Sequence, residues 1–335
     1  MLSKKIGIDF GTSTVLIYVK GEGIVINEPS LVAVHRDSAR ILAVGSDAFE
    51  MVGRAPDTIQ IVRPMSEGVI ADFVVTEGML HHFIGRVGGR HWIFKPEIMI
   101  CVPSGVTSVE RRAITEAAIS AGARQAWLID EPLAAAIGAG LPISKPRGNA
   151  ICDVGAGTTE IAVISLSGMV VAHSIRVGGN RIDDAITTFL KRRHSLLIGE
   201  RTAEELKIAV GSAVPLKEPL VSEVRGCDVV SGQPKQVEVT STDIAEAIQE
   251  PLRLIVGAVR DVLEETPREL TADIFERGIV LSGGGALLRG LDRYIAVHTG
   301  LPAVVADDPQ TSVVRGTGLA LENFEVLKRH QSYLR

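Results

Sequence analysis

Basic stretches, paired cysteines and long apolar runs are all missing from this chain of 335 residues. Lysine and arginine total 35 against 40 aspartates and glutamates, a formal charge of −5 with a pI near 5.9. Without a basic face or a Lys/Arg-rich run, a nucleic-acid partner is excluded. The three cysteines, Cys101, Cys152 and Cys227, are odd in number and far apart. They form neither a disulfide framework nor a C-x-x-C metal site. Cys101 and Cys152 lie in apolar, strand-like runs and read as buried, reduced thiols, which suits a reducing cytosol. No stretch of about 18 apolar residues is available to span a bilayer. Met1 to Lys5 runs straight into a strand, which leaves no room for a signal peptide, so a soluble, intracellular chain is expected. Aromatic residues make up only 4%, and the core must be built from Ile, Val, Leu and Ala.

What is present suits a large α/β protein: 46% hydrophobic residues, 22% charged residues and 34 glycines gathered at motifs rather than in a low-complexity tract. The length allows more than one domain. Lys5–Phe10 and Val15–Lys20 are apolar runs around a Gly11–Thr14 turn and read as a hairpin. A third run, Gly23–Val34, completes the first sheet region. Helical periodicity covers Val75–Val87, a buried strand is expected over Ile98–Pro103, and a helix over Val109–Gly122 with Ser108 as its N-cap. The Pro/Gly-rich stretch 140–148 marks a boundary.

Beyond that boundary the opening pattern returns. Ile8-Asp9-Phe10-Gly11-Thr12-Ser13-Thr14 is matched by Cys152-Asp153-Val154-Gly155-Ala156-Gly157-Thr158, and the two aspartates stand 144 positions apart. One such duplication makes a two-lobed protein rather than a solenoid. Each copy is an apolar strand ending in Asp-x-Gly, a turn of small residues and a departing strand. A phosphate needs N–H donors at very close range, and a small-residue turn presents them as an anion nest. Gly11, Gly155 and Gly157 remove Cβ atoms from the approach, and Thr12, Ser13, Thr14 and Thr158 add hydroxyls. Asp9 and Asp153, one residue pair upstream of each turn, can hold Mg²⁺ beside phosphate oxygens. A single Asp-x-Gly is as well read as an ordinary β-turn. Two copies at domain spacing favour a phosphate clamp, and neither a Walker-type loop nor a dinucleotide fingerprint occurs.

Two further segments belong with the clamp. Ile279–Ala286 reads as strand, triple-glycine turn and helix start, suited to a nucleotide lying on backbone. Trp127–Ala136 reads as a strand ending in Asp130 and Glu131, with Pro132 in the first helical turn. Glu131 is the candidate to orient water at a γ-phosphate, although acids at a helix start also simply answer the helix dipole. Arg315–Ala320 opens the last helix, where small residues suit close helix packing.

These five segments, in this order, are similar to those of the actin, heat-shock chaperone and sugar kinase ATPases. Within them the chain resembles the MreB family of bacterial actins nearly end to end, most specifically at Gly7–Thr12, Asn27–Ser30, Gly68–Phe73, Ile198–Glu204 and Ser282–Leu287. The resemblance implies an α/β actin-like bilobal ATPase fold: a first lobe over 1–141 with a small subdomain at about 33–66, and a second lobe over 142–335 with a small subdomain at about 182–242. A C-terminal helix at about 313–330 would return to the first lobe. It implies ATP and Mg²⁺ as cofactors, with Thr12, Ser13, Thr14, Gly155, Ala156, Gly157 and Thr158 on the phosphates and Asp9 and Asp153 near the metal. Glu131 and Thr158 match hydrolysis positions, Glu204, Glu205, Leu206 and Lys207 the ribose and adenine contact, and Gly284, Gly285, Ala286 and Leu287 the base and α-phosphate. Glu204 and Lys207, three apart, would share a helix face, a pattern a solvated ion pair also produces. Ala156 departs from the family, where another glycine is frequent; binding survives if its φ is negative.

By the same resemblance the chain forms paired protofilaments with itself, lies in the cytoplasm against the inner face of the cytoplasmic membrane, and works with the cell-wall elongation machinery to set rod shape by slow, polymerisation-coupled ATP hydrolysis. The start of the chain lacks the amphipathic helix of some relatives. Trp92, Ile93 and Phe94, between Arg90 and Lys95, are then either a membrane-dipping loop, since tryptophan favours the interface, or the beginning of a buried strand. A small-molecule kinase on the same fold would need a substrate pocket, usually built by large insertions, and a chaperone ATPase a peptide-binding domain after the last helix.

Overall fold

Strands covered on both faces are near-continuous apolar runs, and Lys5–Phe10 and Asn149–Val154 come close to this, with nearly every residue buried and one aspartate near each C-terminal end. In a computed structural model, which describes residues 3–88 and 95–324, each is the middle of a five-stranded sheet. The first sheet runs Gln125–Asp130, Glu97–Val102, Lys5–Phe10, Thr14–Val19, Gly23–Pro29; the second runs Ala303–Val305, Ile279–Ser282, Asn149–Val154, Thr159–Ser165, Gly168–Ile175. Both follow one plan. Each middle strand has two parallel strands on one side and an antiparallel meander on the other. The sequence duplication is therefore a duplication of topology.

Two three-stranded sheets stand apart from these: Val32–His35 between Ile41–Val44 and Ile59–Val62, and Val221–Asp228 between Leu196–Leu197 and Pro234–Thr240. The apolar run 23–34 is thus two strands in different sheets rather than one. Pro29 cannot donate to a continuing ladder, and the next amide, Ser30, turns to donate to Ser13 O at 2.8 Å.

The helix expected to be capped by Ser108 starts at that residue and is capped one position earlier. Thr107 accepts from Glu110 N at 3.3 Å while the Glu110 carboxylate accepts from Thr107 N at 2.7 Å, a reciprocal box whose glutamate lies three residues after Thr107, not Ser108. The last helix likewise starts earlier than its glycine cluster, at Ser312, and spans Ser312–Glu322. It lies against Glu131–Gly138 so closely that a Cβ on Gly316 would come 1.8 Å from Ala134 O, and one on Gly138 1.8 Å from Ser312 O. Only glycine permits this approach. Around these two helices a buried cluster including Met99, Ile129, Leu133, Ile151, Ile164 and Leu321 joins the two large sheets. Trp92, Ile93 and Phe94, and positions 325–330 of the expected C-terminal helix, lie outside the described residues.

Candidate functional site

The two Asp-x-Gly turns have one geometry. Gly11 N donates to Thr14 O at 3.0 Å, and Gly155 N donates to Thr158 O at 2.9 Å. Their tips meet. A Cβ on Gly157 would fall 2.6 Å from Thr12 Oγ1 and 3.2 Å from Glu67 Cα, so here glycine is required by space rather than by φ. Ala156 lies outside the left-handed region, and its methyl group adds no backbone strain.

Between the turns and the Gly283–Gly285 turn lies a cavity of about 570 Å³, within the range of small-molecule sites. It brings together Asp9, Thr12, Ser13, Thr14, Glu131, Asp153, Gly155, Ala156, Gly157 and Thr158 with Glu204, Lys207, Gly284, Gly285 and Leu287. Three expected residues have their side chains elsewhere. On the helix Glu200–Val210, positions 204, 207 and 208 share the cavity face, so 205 and 206 turn away. Glu205 pairs with Arg201 at 2.9 Å in solvent, and Leu206 is buried in the core of the second lobe. Ala286 is buried in that same core. Lys207 does not pair with Glu204; it reaches Asp183 at 2.9 Å, and that carboxyl is raised to about 6 because burial outweighs the lysine.

Sequence reasoning missed several lining residues, among them Gly68, Asn180, Ile208, Arg289 and Gln310. Asn180, beside Gly178-Gly179 at a helix start, was the one with a signal to find. Arg289 donates to Ile208 O at 2.8 Å and so ties the triple-glycine turn to the helix that carries Lys207.

The floor is acidic. Burial drives Asp9 up to about 6, against a hydrogen bond from the Cys101 thiol at 3.3 Å. Burial drives Asp153 up to about 7; the Ser282 hydroxyl, 2.5 Å away, opposes this, and the nearby Asp9 and Glu160 charges add to it. Glu131 is held well above the usual carboxylate range by burial and then by Asp153, Glu160 and Asp9. Among the described residues none of these four carboxyls makes an ion pair with Lys, Arg or His. Acids buried together without a cation suit a hard divalent ion with oxygen ligands, which Asp9 and Asp153 would hold. Burial and Asp9 hold the Cys101 thiol protonated, making it a hydrogen-bond donor to Asp9. Cys101 and Cys152 are free and buried. No described helix is long and apolar enough to cross a membrane.

A sequence profile described as MreB/Mbl protein matches residues 3–329. The cell shape-determining protein MreB of Escherichia coli (strain K12) is 53% identical over 331 residues, covering 97% of this chain and 95% of that protein. The cell shape-determining protein Mbl of Bacillus subtilis (strain 168) is 47% identical, covering 99% of both. Among solved structures, MreB5 of Spiroplasma citri bound to AMPPNP superposes with a TM-score of 0.92 at 36% identity, covering 98% of each chain. The same protein bound to ADP gives a TM-score of 0.93 over 98% of this chain and 99% of that one. A MamK double helical filament, 22% identical over 96% of this chain and 99% of its own, has a TM-score of 0.82 and shows the shared fold alone.

Proposed function

This chain belongs to the MreB/Mbl family, and on that premise we propose that it is an ATP-hydrolysing, filament-forming bacterial actin with a role in cell shape. Its family and fold are those of actin-like ATPases with nucleotide-bound neighbours. One observation carries the reading to this chain: two duplicated Asp-x-Gly turns meet at Thr12 and Gly157 above an acidic floor that pairs with no Lys, Arg or His among the described residues. Backbone N–H groups of Thr12–Thr14 and Ala156–Thr158 receive phosphate oxygens. Asp9 and Asp153 would hold Mg²⁺, which when bound would offset phosphate charge. Lys207, steadied by Asp183, and the Gly284–Leu287 turn take the nucleoside. Glu131 and Thr158 orient the attacking water, and burial with the Asp153, Glu160 and Asp9 charges raises the proton affinity of Glu131, the property asked of a general base.

The deciding experiment is sedimentation and electron microscopy of the purified protein with Mg-ATP and with Mg-ADP, alongside phosphate release. ATP-dependent filaments with slow release are expected. A soluble protein whose ADP release depends on a sugar would instead indicate a small-molecule kinase. Glu131→Ala is expected to slow release strongly while ATP binding persists, because positioning acts on the transition state.

The same reading places a first lobe at 1–141 and a second at 142–335. It pairs the protofilaments and sets them under the cytoplasmic membrane with the cell-wall elongation machinery. Trp92, Ile93 and Phe94 are the proposed membrane contact. A Trp92→Ser, Phe94→Ser double mutant that still binds ATP should lose co-sedimentation with anionic liposomes; retention would assign the anchor elsewhere.

A further inference from the structure

Glu160 lies behind the acidic floor and does not line the cavity, yet it is fully buried and its carboxylate accepts three hydrogen bonds. Two come from Ser104 of the first lobe, from N at 3.1 Å and from Oγ at 2.6 Å. The third comes from Ser174 Oγ of the second. Burial raises Glu160 and these donors oppose the rise; Asp130, whose charge adds to it, is itself paired with Arg111. A buried carboxyl is tolerated only where such donors satisfy it, so this one binds the loop after the strand Glu97–Val102 to the second lobe.

What the loop approaches, across Gly68, is Thr158. Thr158 and Glu160, two apart at the head of the strand Thr159–Ser165, face the same side. Pro103, the residue before Ser104, closes on Gly68: a Cβ there would meet Pro103 Cγ at 2.7 Å and Thr158 Cγ2 at 3.1 Å. Gly68 is thus wedged between Pro103 and the Thr158 methyl group, and its φ of +78° admits no other residue without strain. The Thr158 methyl group therefore has Gly68 beside it, and Thr158 lines the cavity that Glu131 also lines.

We infer that Glu160 is a positioning residue: a strut across the lobes that holds the Pro103–Ser104 loop against Gly68, and through Gly68 steadies Thr158 beside Glu131 for hydrolysis. The inference rests on the hydrolase reading, but the strut itself is measurable without turnover. Its work is done by hydrogen-bond acceptance and not by charge. Glu160→Gln keeps an acceptor oxygen for Ser104 and offers its amide to Ser174, so it should preserve function where Glu160→Ala does not.

In the full-length protein, single-turnover ATP hydrolysis should fall at least tenfold in Glu160→Ala and three- to tenfold in Ser104→Ala, and stay within threefold of the parent in Glu160→Gln. AMPPNP affinity should stay within threefold in all three, a split that a general loss of structure would not produce. Hydrogen exchange of the Ser104 amide, measured without nucleotide, should show protection in the parent and in Glu160→Gln that is lost in Glu160→Ala. If Glu160→Ala fails to fold, Ser104→Ala carries the test. Parent-like hydrolysis in Ser104→Ala and Glu160→Ala, or Glu160→Gln as slow as alanine, overturns the inference. Free exchange of Ser104 in the parent overturns the strut itself. A parent that protects Ser104 and binds AMPPNP but never hydrolyses ATP refutes the hydrolase reading and with it the role in hydrolysis, while the strut stands.

Discussion

The two phosphate turns are nearly the same loop held in place by different means. Each closes with the same Gly N–H to Thr O hydrogen bond. Behind the first, Ser13 O accepts from Ser30, the amide just after a strand end. Behind the second, Gly155 O and Ala156 O accept from Gly179 and Asn180 at 2.9 Å each, the first amides of the helix Gly179–His194. Those amides have no partner within their own helix, and the turn supplies one. The aspartates differ as well. Asp153 has the better donor, a hydroxyl, and Asp9 only a thiol, yet Asp153 is raised further, to about 7 against about 6. Burial outweighs the hydrogen bond, and the neighbouring carboxyls add to it. A loop's shape is thus local, while its support and its charge belong to what the fold brings behind it.

The largest expected effect comes from breaking the support that only the second turn has. A Cβ on Gly178 would lie 2.6 Å from Gly155 O and 2.7 Å from Ala156 O, both backbone atoms. Gly178→Ala should lower unfolding free energy by about 1–3 kcal/mol, as overpacking does, and weaken Mg-ATP binding. Denaturant melts and nucleotide titration read both; unchanged values would show that the helix does not brace the turn.

Removing the acids themselves comes next. Asp153→Ala should weaken Mg-ATP at least tenfold, about 1.4 kcal/mol, and largely abolish the Mg²⁺ dependence of binding, which titration of a fluorescent analogue with and without Mg²⁺ reads. Asp9→Ala tests whether the clamp is symmetric. Full, metal-dependent affinity in Asp153→Ala would sink the assignment.

Metal-free protein should also respond to pH. Asp9 and Asp153 ionise near 6 and 7 in the folded chain and near 4 when unfolded, so between those limits the folded state binds more protons and stability falls as pH rises from about 4 to 7. The loss should be at least about 1 kcal/mol for each aspartate. Added Mg²⁺ should reduce it. Thermal melts across pH 5 to 8 measure this, and Asp153→Asn should shrink it more than Asp9→Asn.

The smallest effect is expected from Cys101→Ser. A hydroxyl donates to Asp9 more strongly than a thiol does, so the metal-free pH response of the first aspartate should move slightly lower, with stability changed by no more than about 0.5–1.5 kcal/mol. A larger shift would mean that packing around the thiol, rather than its hydrogen bond, sets the environment of Asp9.

Much of the site was legible because its chemistry is written in short segments. Asp-x-Gly after an apolar strand, the triple glycine at 283–285 and the acids before Pro132 each encode a turn or a helix start within a few residues, and those segments meet at one cavity. The helix Glu200–Val210 was legible as a contact but not as a face: Glu204 and Lys207 reach the cavity, and Glu205 and Leu206 turn away. The cap at Thr107 was one residue off because its glutamate partner lies at Glu110. Trp92, Ile93 and Phe94 lie outside the described residues, and the liposome experiment decides between their two readings.

The sequence by itself determined the duplicated strand-turn-strand units, the glycines that let backbone approach backbone, and the absence of a basic face, because each follows from residue type and from spacing along a few positions. Only the tertiary structure decided which donors satisfy the buried acids. Ser104 and Glu160 are 56 positions apart, Ser282 and Asp153 129 apart. A carboxyl's burial, and so its proton affinity and its role, depends on everything packed around it, and no local pattern records that.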